Sequence, residues 1–160
     1  MNVQVSKDGA FGLSEINPFL FDLLREIVLC AASSDPRAEA RLYPSPVEGN
    51  QMPDLLEDWK SLVQPELHAA FQQARDVVQA DLRHATETDE GFEFQIPRHH
   101  SDAWMSALNQ ARLALAEENH FSETELTTEV ASALDDRRKM ILLQMNFYAF
   151  LQEWLVQMAG

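Results

Sequence analysis

The best candidate for chemistry in the sequence is the run His99-His100-Ser101-Asp102, where two imidazoles and a carboxylate stand at the expected start of a helix. Imidazoles and carboxylates are common metal ligands, and a further histidine, His120, would lie near the far end of the same helix. The spacing is poor support for a metal site, because adjacent residues of an extended segment point to opposite sides. The spacing favours exposed or locally hydrogen-bonded histidines. A metal site at His99, His100 and Asp102 is the alternative.

The familiar catalytic motifs are absent from the sequence. There is no HExxH zinc motif, no pair of ExxH motifs, no nucleophile elbow and no glycine-rich phosphate loop, and the chain has only five glycines. The single cysteine, Cys30, lies between Leu29 and Ala31 in an apolar helix, which is typical of a buried thiol in a reducing compartment. We expect no cofactor and no catalytic residue, and an enzymatic function is disfavoured but left open.

A second set of candidates consists of polar side chains where helical periodicity expects apolar ones. One helix has a predicted apolar face of Trp104, Leu108, Ala111 and Leu115, and Asn109 and Arg112 lie beside it. Gln144 and Gln152 lie inside the apolar arc of the last helix. A buried polar group left unpaired costs about 1–3 kcal/mol, so these groups should bond one another or a nearby loop. The pattern favours a structural network, with a ligand pocket as the alternative. Its expected members are Asp35, Arg41, Asn109, Arg112, Gln152 and Glu153.

The stretch from Lys139 to Met158 is strongly apolar and is predicted to be the central helix. At about 100° per residue, its polar strip is narrow and consists of Lys139, Asn146, Glu153 and Gln157. Insertion into a membrane is disfavoured, because a charged group near the middle of the bilayer costs several kcal/mol. The pattern therefore predicts a helix that is covered on three sides in a soluble domain.

Apolar periodicity and capping signals predict helices over most of the chain. They are expected from Ser14 or Asn17 to about Ser33, as one turn from Pro36 to Leu42, over 53–63, from Pro65 to about His84, from Asp102 to about Asn119, and onward from a capping box at Ser122 to Glu125. Helices 53–63 and 65–84 should meet at an angle, because Pro65 interrupts the helical hydrogen bonds. In the first of them, apolar side chains are expected to face inward, namely Leu55, Leu56, Trp59, Leu62 and Val63.

Three short stretches alternate apolar and polar residues and are predicted to be strands. Two of them flank an Asp8-Gly9 turn and form a hairpin, and the third is Phe92 to Ile96. The acidic segment 85–91 is expected to be a linker. The predicted fold is mainly α, a bundle of five or six helices around a buried C-terminal helix, with a small antiparallel three-stranded sheet, in a single domain spanning residues 1–160.

The chain is acidic, with 12 Lys plus Arg against 26 Asp plus Glu and a net charge of −14 over 160 residues. This charge repels phosphate groups, which disfavours binding to nucleic acid or to an anionic membrane. The start, MNVQVSKDG, lacks the basic and apolar segments of a secretory signal, so a cytoplasmic location is expected. The expected partners are another protein or a second copy of the chain in a homo-oligomer.

Three stretches share their wording and their order with a known family. They are SDPRAEARLYP at 34–44, WMSALNQARLALAEE at 104–118 and FYAFLQEWLVQM at 147–158. In these stretches the sequence resembles the bacterial family called domain of unknown function 2017, which is best known from actinobacteria. The chain looks like a divergent member of that family. Matching positions include Asp35, Pro36, Arg41, Leu42, Pro44, Trp104, Leu108, Asn109, Arg112, Leu113, Leu115, Gln152, Leu155 and Val156. The sequence departs from the family at Gln110, where an aspartate is usual, and at Glu117-Glu118.

The resemblance implies no particular activity, because the family has no assigned chemistry. Its genes in actinobacteria tend to lie beside that of the adaptor ClpS, which implies a link to regulated proteolysis. We therefore expect a cytosolic, non-catalytic protein-interaction or regulatory module that binds through its acidic, loop-proximal surface. The alternative hypothesis is a small-molecule-binding or metal-dependent enzyme that uses the region of His99, His100 and Asp102.

Overall fold

The computed structural model describes residues 1–47, 51–122 and 134–159, and most of them are helical. The elements are β1 (Asn2–Val5), β2 (Phe11–Ile16), α1 (Pro18–Ala31), α2 (Pro36–Leu42), α3 (Pro53–Asp58), α4 (Gln64–Arg83), β3 (Thr86–Thr88), β4 (Gly91–Ile96), α5 (Ser101–Glu118) and α6 (Asp136–Ala159). A π-helical turn, Trp59–Val63, joins α3 to α4. The mainly helical class is confirmed. The helix predicted onward from Ser122 falls largely on residues outside the described part.

The predicted hairpin at the start of the chain is confirmed. Its turn is closed by a hydrogen bond of 2.9 Å from the Ser6 amide to the Ala10 carbonyl, and Gly9 supplies a φ of 87°. The first helix begins after Asn17, whose side chain accepts a hydrogen bond from the Leu20 amide at 2.8 Å. Pro18 occupies the first helical position, where a missing N–H costs nothing.

The sheet has four strands within the described residues, in the order β1-β2-β4-β3 with antiparallel neighbours. The prediction of three strands was therefore wrong, because the segment expected to be a linker contains β3. The residues of β3 are all exposed, so no alternation of apolar and polar side chains marks it in the sequence. The turn at Asp89-Glu90 folds β3 onto β4, where Thr88 pairs with Gly91.

A bulge in β2 brings two strands unusually close together. The register between β2 and β4 shifts between Leu13 and Ile16, and Glu15 there has a φ of 53°. Gly91 has a φ of 130°, and a Cβ at this position would lie 2.5 Å from the Ile16 carbonyl oxygen. Glycine is required here both by its backbone conformation and by the lack of space for a side chain.

Helix α5 is the centre of the bundle. It packs against α1, α2, α4 and α6, and Trp104, Ala107, Leu108, Ala111 and Ala114 are fully buried. Its alanines present little side-chain bulk to the neighbouring helices, so neighbours can pack on several sides. The predicted apolar face of Trp104, Leu108, Ala111 and Leu115 is confirmed.

The C-terminal helix α6 covers one side of the bundle and is not its centre, so this part of the prediction was wrong. It buries residues such as Tyr148 and Leu151, but Leu143 and Phe150 are exposed at the edge of the predicted polar strip. The apolar content of a helix does not show whether the rest of the chain covers all of its sides, and here the outer side of α6 is left exposed. No helix in the described ranges is both long and apolar enough to cross a membrane.

The segment 53–63 departs most from the prediction. Neither α3 nor the π-helical turn contains a buried residue, and Leu55, Leu62 and Val63 are exposed instead of facing inward. The predicted break near Pro65 takes the form of the π-helical turn, which passes directly into α4. Because proline has no amide hydrogen, Pro65 cannot donate the usual bond to the turn before it, which favours such an irregular turn.

Candidate functional site

A buried carboxylate on α4 holds two side chains of the α5 region. Asp81 is 6% exposed and accepts a hydrogen bond of 2.8 Å from the indole nitrogen of Trp104. Its other contact is with His100, whose Nδ1 lies 2.9 Å from Oδ2. The carboxylate therefore ties α4 to the start of α5, and its oxygens are satisfied by groups within the protein.

The sequence places Asp81 inside because it shares a face of α4 with apolar residues. Ala74, Val78 and Leu82 are buried at spacings of four from one another, and Asp81 lies three residues after Val78 on the same side. Sequence reasoning missed this residue, although a lone aspartate on an apolar helical face was the signal that could have found it. Such a carboxylate needs donors, and Trp104 and His100 supply them.

His100 is fixed in one orientation by this contact. A carboxylate oxygen accepts, so Nδ1 carries the proton and Nε2 is left for a different partner. The same arrangement, with a carboxylate orienting an imidazole, occurs where histidine acts as a general base. The side chain of His100 is 27% exposed, so a small polar molecule can reach it.

A groove runs across the outer face of the sheet to His100. Its volume is about 570 Å³, and outward-facing side chains of β1, β2, β3 and β4 line it. The polar ones are Gln4, Ser14, Thr86, Glu93 and Gln95. This surface offers amide, hydroxyl and carboxylate groups, which suit a polar ligand better than an apolar one.

The other residues of the predicted metal site do not gather around His100. The ring of His99 packs edge-on against that of His100 with their centroids 4.3 Å apart, and both His99 and Asp102 are exposed. Over the described parts of the chain, no three His, Cys, Asp or Glu side chains are grouped to hold a metal ion. The partner that the structure gives His100 is Asp81 and not Asp102.

Arg112 and Gln152 are the two members of the predicted polar network that the structure brings together. An Arg112 guanidinium nitrogen donates to Gln152 Oε1 at 2.6 Å, and Gln152 Nε2 donates to the Met105 carbonyl at 3.2 Å. Gln152 thus links α5 to α6 through a side chain and a backbone group. Arg112 Nε is buried without a hydrogen-bond partner among the described residues.

The remaining members of the predicted network lie apart from this pair. Asp35 caps α2 by accepting from the Arg37 amide at 2.9 Å and also pairs with the Arg37 guanidinium, which holds the pKa of Asp35 below its usual range. Arg41 lies 3.5 Å from Glu117 in an exposed ion pair. Asn109 and Glu153 are exposed.

Gln110 is a buried polar residue that the predicted network did not include. It is 1% exposed, and its Oε1 accepts a hydrogen bond of 2.9 Å from Arg75 on α4. Its Nε2 donates to Ser106 Oγ at 3.1 Å and to the Phe71 carbonyl at 3.4 Å. Gln110 and Arg112 therefore anchor opposite edges of the buried face of α5, one toward α4 and one toward α6.

A family model, Domain of unknown function (DUF2017), matches residues 9–159 of the chain. The chain belongs to this family. The match includes all three stretches that carried the resemblance, and in the structure they pack together, because α2 and α6 both contact α5. No curated protein and no solved structure matches the chain. Membership in DUF2017 gives the chain its relatives but not a chemical activity.

Cys30 belongs to a partly buried polar cluster between α1 and α6. Gln144 Nε2 donates to Tyr148 Oη at 2.9 Å and to Glu26 at 2.8 Å, and it lies 3.7 Å from Cys30 Sγ. Tyr148 in turn donates to the Leu23 carbonyl at 2.5 Å. Burial, with nearby Glu26, raises the pKa of the Cys30 thiol to about 12. A thiol with this pKa is protonated at neutral pH and is a poor nucleophile.

A third candidate is the apolar surface of α3 and the π-helical turn, which we call the α3 surface. It consists of Met52, Leu55, Leu62 and Val63, which are 63%, 44%, 65% and 40% exposed. A cleft of about 370 Å³ lies on the same segment and is lined by residues that include Pro53, Leu56 and Lys60. This member of DUF2017 thus has two candidate binding surfaces, the polar groove at His100 and the apolar α3 surface.

Proposed function

We propose that this protein is a cytosolic, non-catalytic protein-interaction or regulatory module that binds its partner through the α3 surface. The observation that carries the proposal is that α3 and the π-helical turn bury no residue, although their apolar residues recur at helical spacing. Apolar side chains clustered on a surface are typical of an interaction site, whereas single ones are ordinary. In the chain, this surface begins at the end of a proline-rich loop, residues 33–53, which contains four of the seven prolines.

The charges around the α3 surface indicate the chemistry of the partner. Asp54, Glu57, Asp58 and Glu66 are exposed on this segment or just after it, against one exposed lysine, Lys60. The whole chain carries a net charge of −14. A partner segment with apolar residues flanked by Lys or Arg would complement both the shape and the charge. Such binding should weaken as salt concentration rises, because exposed charges are screened.

The construction of the α3 segment fits a surface that adapts to a partner. Its main contacts are with the π-helical turn, and the turn packs against α4. Met52, just before α3, has a φ of 53°, and α3 begins without a side-chain cap. A short helix with few buried contacts has a low local free energy of unfolding, so a partner can change its conformation at little cost.

The link to regulated proteolysis is part of this proposal, and it comes from the family resemblance. A component of the cytosolic proteolytic machinery, with a basic and apolar segment, is therefore the first partner to test. The binding module would act by holding that component, without a chemical step of its own.

The proposal is tested by capturing partners from native cytosol with the wild-type protein, then purifying the captured protein and titrating it. We expect Leu62→Glu to weaken the affinity for that protein at least about tenfold, because it places a charge in the apolar contact. The matched control is Leu29→Glu, which changes a leucine that is 75% exposed on α1. The proposal is wrong if no protein is captured, or if the captured protein binds Leu62→Glu as tightly as the wild type.

A second candidate function is a small-molecule-binding protein or enzyme that uses His100. The observation that favours it is the buried Asp81 carboxylate, which orients the His100 imidazole at the edge of a groove of about 570 Å³. The metal-dependent version is tested by metal analysis of protein purified without a histidine tag, where stoichiometric zinc or iron would support it. The metal-free version requires a polar ligand that raises the melting temperature of the wild type but not of His100→Ala.

A further inference from the structure

The outer side of α6 carries an apolar patch that is separate from the α3 surface. Leu143 and Phe150 are both 47% exposed, and Met140 beside them is 51% exposed. Leu143 and Phe150, together with Lys139, Asn146 and Glu153, follow a spacing of four, three, four and three residues along the helix. This spacing keeps side chains in one straight line and is the spacing by which two helices pack together. We call this line the α6 seam: Lys139, Leu143, Asn146, Phe150 and Glu153.

The α6 seam is complementary to itself when it is reversed. Asn146 is its midpoint, with Lys139 seven residues before it and Glu153 seven residues after it. Leu143 precedes the midpoint by three residues and Phe150 follows it by four. A two-fold axis through the midpoint therefore exchanges the positive end with the negative end and one apolar side chain with the other.

The charged ends of the seam are available for such a contact. Neither Lys139 nor Glu153 takes part in the ion pairs that the described residues form. Among the described residues, Glu153 accepts an exposed hydrogen bond of 3.2 Å from Gln157. Two opposite charges on either side of an apolar centre favour one orientation of a partner over the other.

We propose that the α6 seam binds the α6 seam of a second copy of this chain, antiparallel, about a two-fold axis at Asn146. Leu143 then packs against Phe150 of the second copy, and Lys139 faces Glu153 of the second copy at both ends. The two Asn146 amides meet at the axis, where each can donate and accept a hydrogen bond. A parallel arrangement would place Lys139 beside Lys139 and Glu153 beside Glu153, which is repulsive.

This dimer is independent of the proposed function, because the α3 surface lies on other elements of the chain. An isologous contact uses the same patch on both copies and closes on itself, so the assembly stops at two. The α3 surface of each copy is not part of the contact. The dimer would then present two partner-binding surfaces, which increases the avidity for a partner that also has two sites.

The first test is the mass of the protein in solution, by sedimentation equilibrium over a range of concentrations. We expect the wild type to approach twice the monomer mass of 18.2 kDa and Leu143→Glu to stay monomeric. Leu29→Glu is the control, since it changes an exposed leucine away from the seam and should leave the dimer intact. A wild type that stays monomeric, or a dimer that survives Leu143→Glu, overturns the proposal.

The second test addresses the orientation and uses only exposed positions, so it does not depend on a destabilised variant. Lys139→Glu should weaken dimerisation about tenfold, since two attractive pairs become repulsive, and Lys139→Glu with Glu153→Lys should restore it. In a parallel dimer, the double exchange would leave like charges together and restore nothing. Absence of rescue therefore overturns the antiparallel arrangement.

Cysteine cross-linking gives an independent measure of the same geometry. Asn146→Cys lies at the axis and should form a disulfide between copies under mild oxidation. Lys139→Cys is seven residues from the axis, so the two copies of it would be roughly 20 Å apart, too far to bridge. Equal cross-linking of both variants contradicts the proposal, as does cross-linking of neither. The parent protein, with Cys30 alone, is the control.

Discussion

Helix α5 and the α3 segment have similar apolar patterns and opposite surroundings. In α5, Leu108 is fully buried, and four other helices pack against the helix. In the α3 segment, Leu62 is 65% exposed and none of the eleven residues from Pro53 to Val63 is buried. Periodicity in a sequence shows which side of a helix is apolar, but it does not show whether the same chain covers that side.

The difference between the two regions follows from their side chains. The buried face of α5 combines large residues such as Trp104 and Leu108 with three small alanines, Ala107, Ala111 and Ala114, so several helices can approach it at once. The α3 segment presents large aliphatic side chains on a short, irregular helix next to a proline-rich loop. Under the proposed function, α5 is apolar for stability and the α3 segment is apolar for binding.

The strongest test of this comparison is the same substitution in both regions. Leu108→Ala should lower the free energy of unfolding by about 3 kcal/mol, because it removes buried methyl groups and leaves a cavity. Leu62→Ala should lower it by less than about 0.5 kcal/mol, because the side chain is already in contact with water. Chemical denaturation of the two variants measures both values. Equal losses would show that the α3 segment is part of the core.

The sequence predicted the main helices because their capping residues and apolar faces are local features. Asn17 and Asp35 each cap a helix by a contact within three residues, and Trp104 and Leu108 mark the face of α5. It could not predict β3, because a strand with both sides exposed carries no alternation and depends on its neighbour β4. It also could not predict which apolar side of α3 or α6 remains uncovered, since that depends on the arrangement of the whole bundle.

The candidate sites show the same limit. Arg112 and Gln152 were predicted from positions on two different helices, and they do meet, at 2.6 Å. Asn109 was grouped with them but is exposed, because at about 100° per residue it lies well outside the buried arc of α5. The partner of His100 was missed because Asp81 is nineteen residues away on another helix.

The next largest effect is expected at the buried carboxylate. Asp81→Ala should lower the free energy of unfolding by about 2 kcal/mol, because the buried Trp104 indole loses its acceptor. Trp104→Phe in the same background removes the unpaired donor. The double variant should therefore lose less free energy of unfolding than the two single variants lose together. Strict additivity in this double-mutant cycle would mean that the hydrogen bond of 2.8 Å contributes nothing.

Arg112→Ala should have a smaller effect than a buried ion pair would give. Removing one partner of a buried ion pair typically costs about 3–5 kcal/mol. The partner of Arg112 is instead the neutral Gln152, and Arg112 is partly exposed. We expect Arg112→Ala to lower the free energy of unfolding by about 1–2 kcal/mol, and Arg112→Lys to lower it by less. If the melting temperature is unchanged and binding of a partner is lost instead, the pair belongs to a binding site.

The smallest effect is expected at Arg41 and Asn109, which match the family pattern but lie on the surface. Arg41 forms an exposed ion pair with Glu117 at 3.5 Å, and such pairs contribute at most about 1 kcal/mol because water and salt screen them. Arg41→Ala and Asn109→Ala should each change the free energy of unfolding by less than about 0.5 kcal/mol, as measured by chemical denaturation. Since neither residue is needed for stability, a loss of partner affinity in either variant would extend the binding surface beyond α3. A large loss of stability in Asn109→Ala would instead place it in the core network with Arg112.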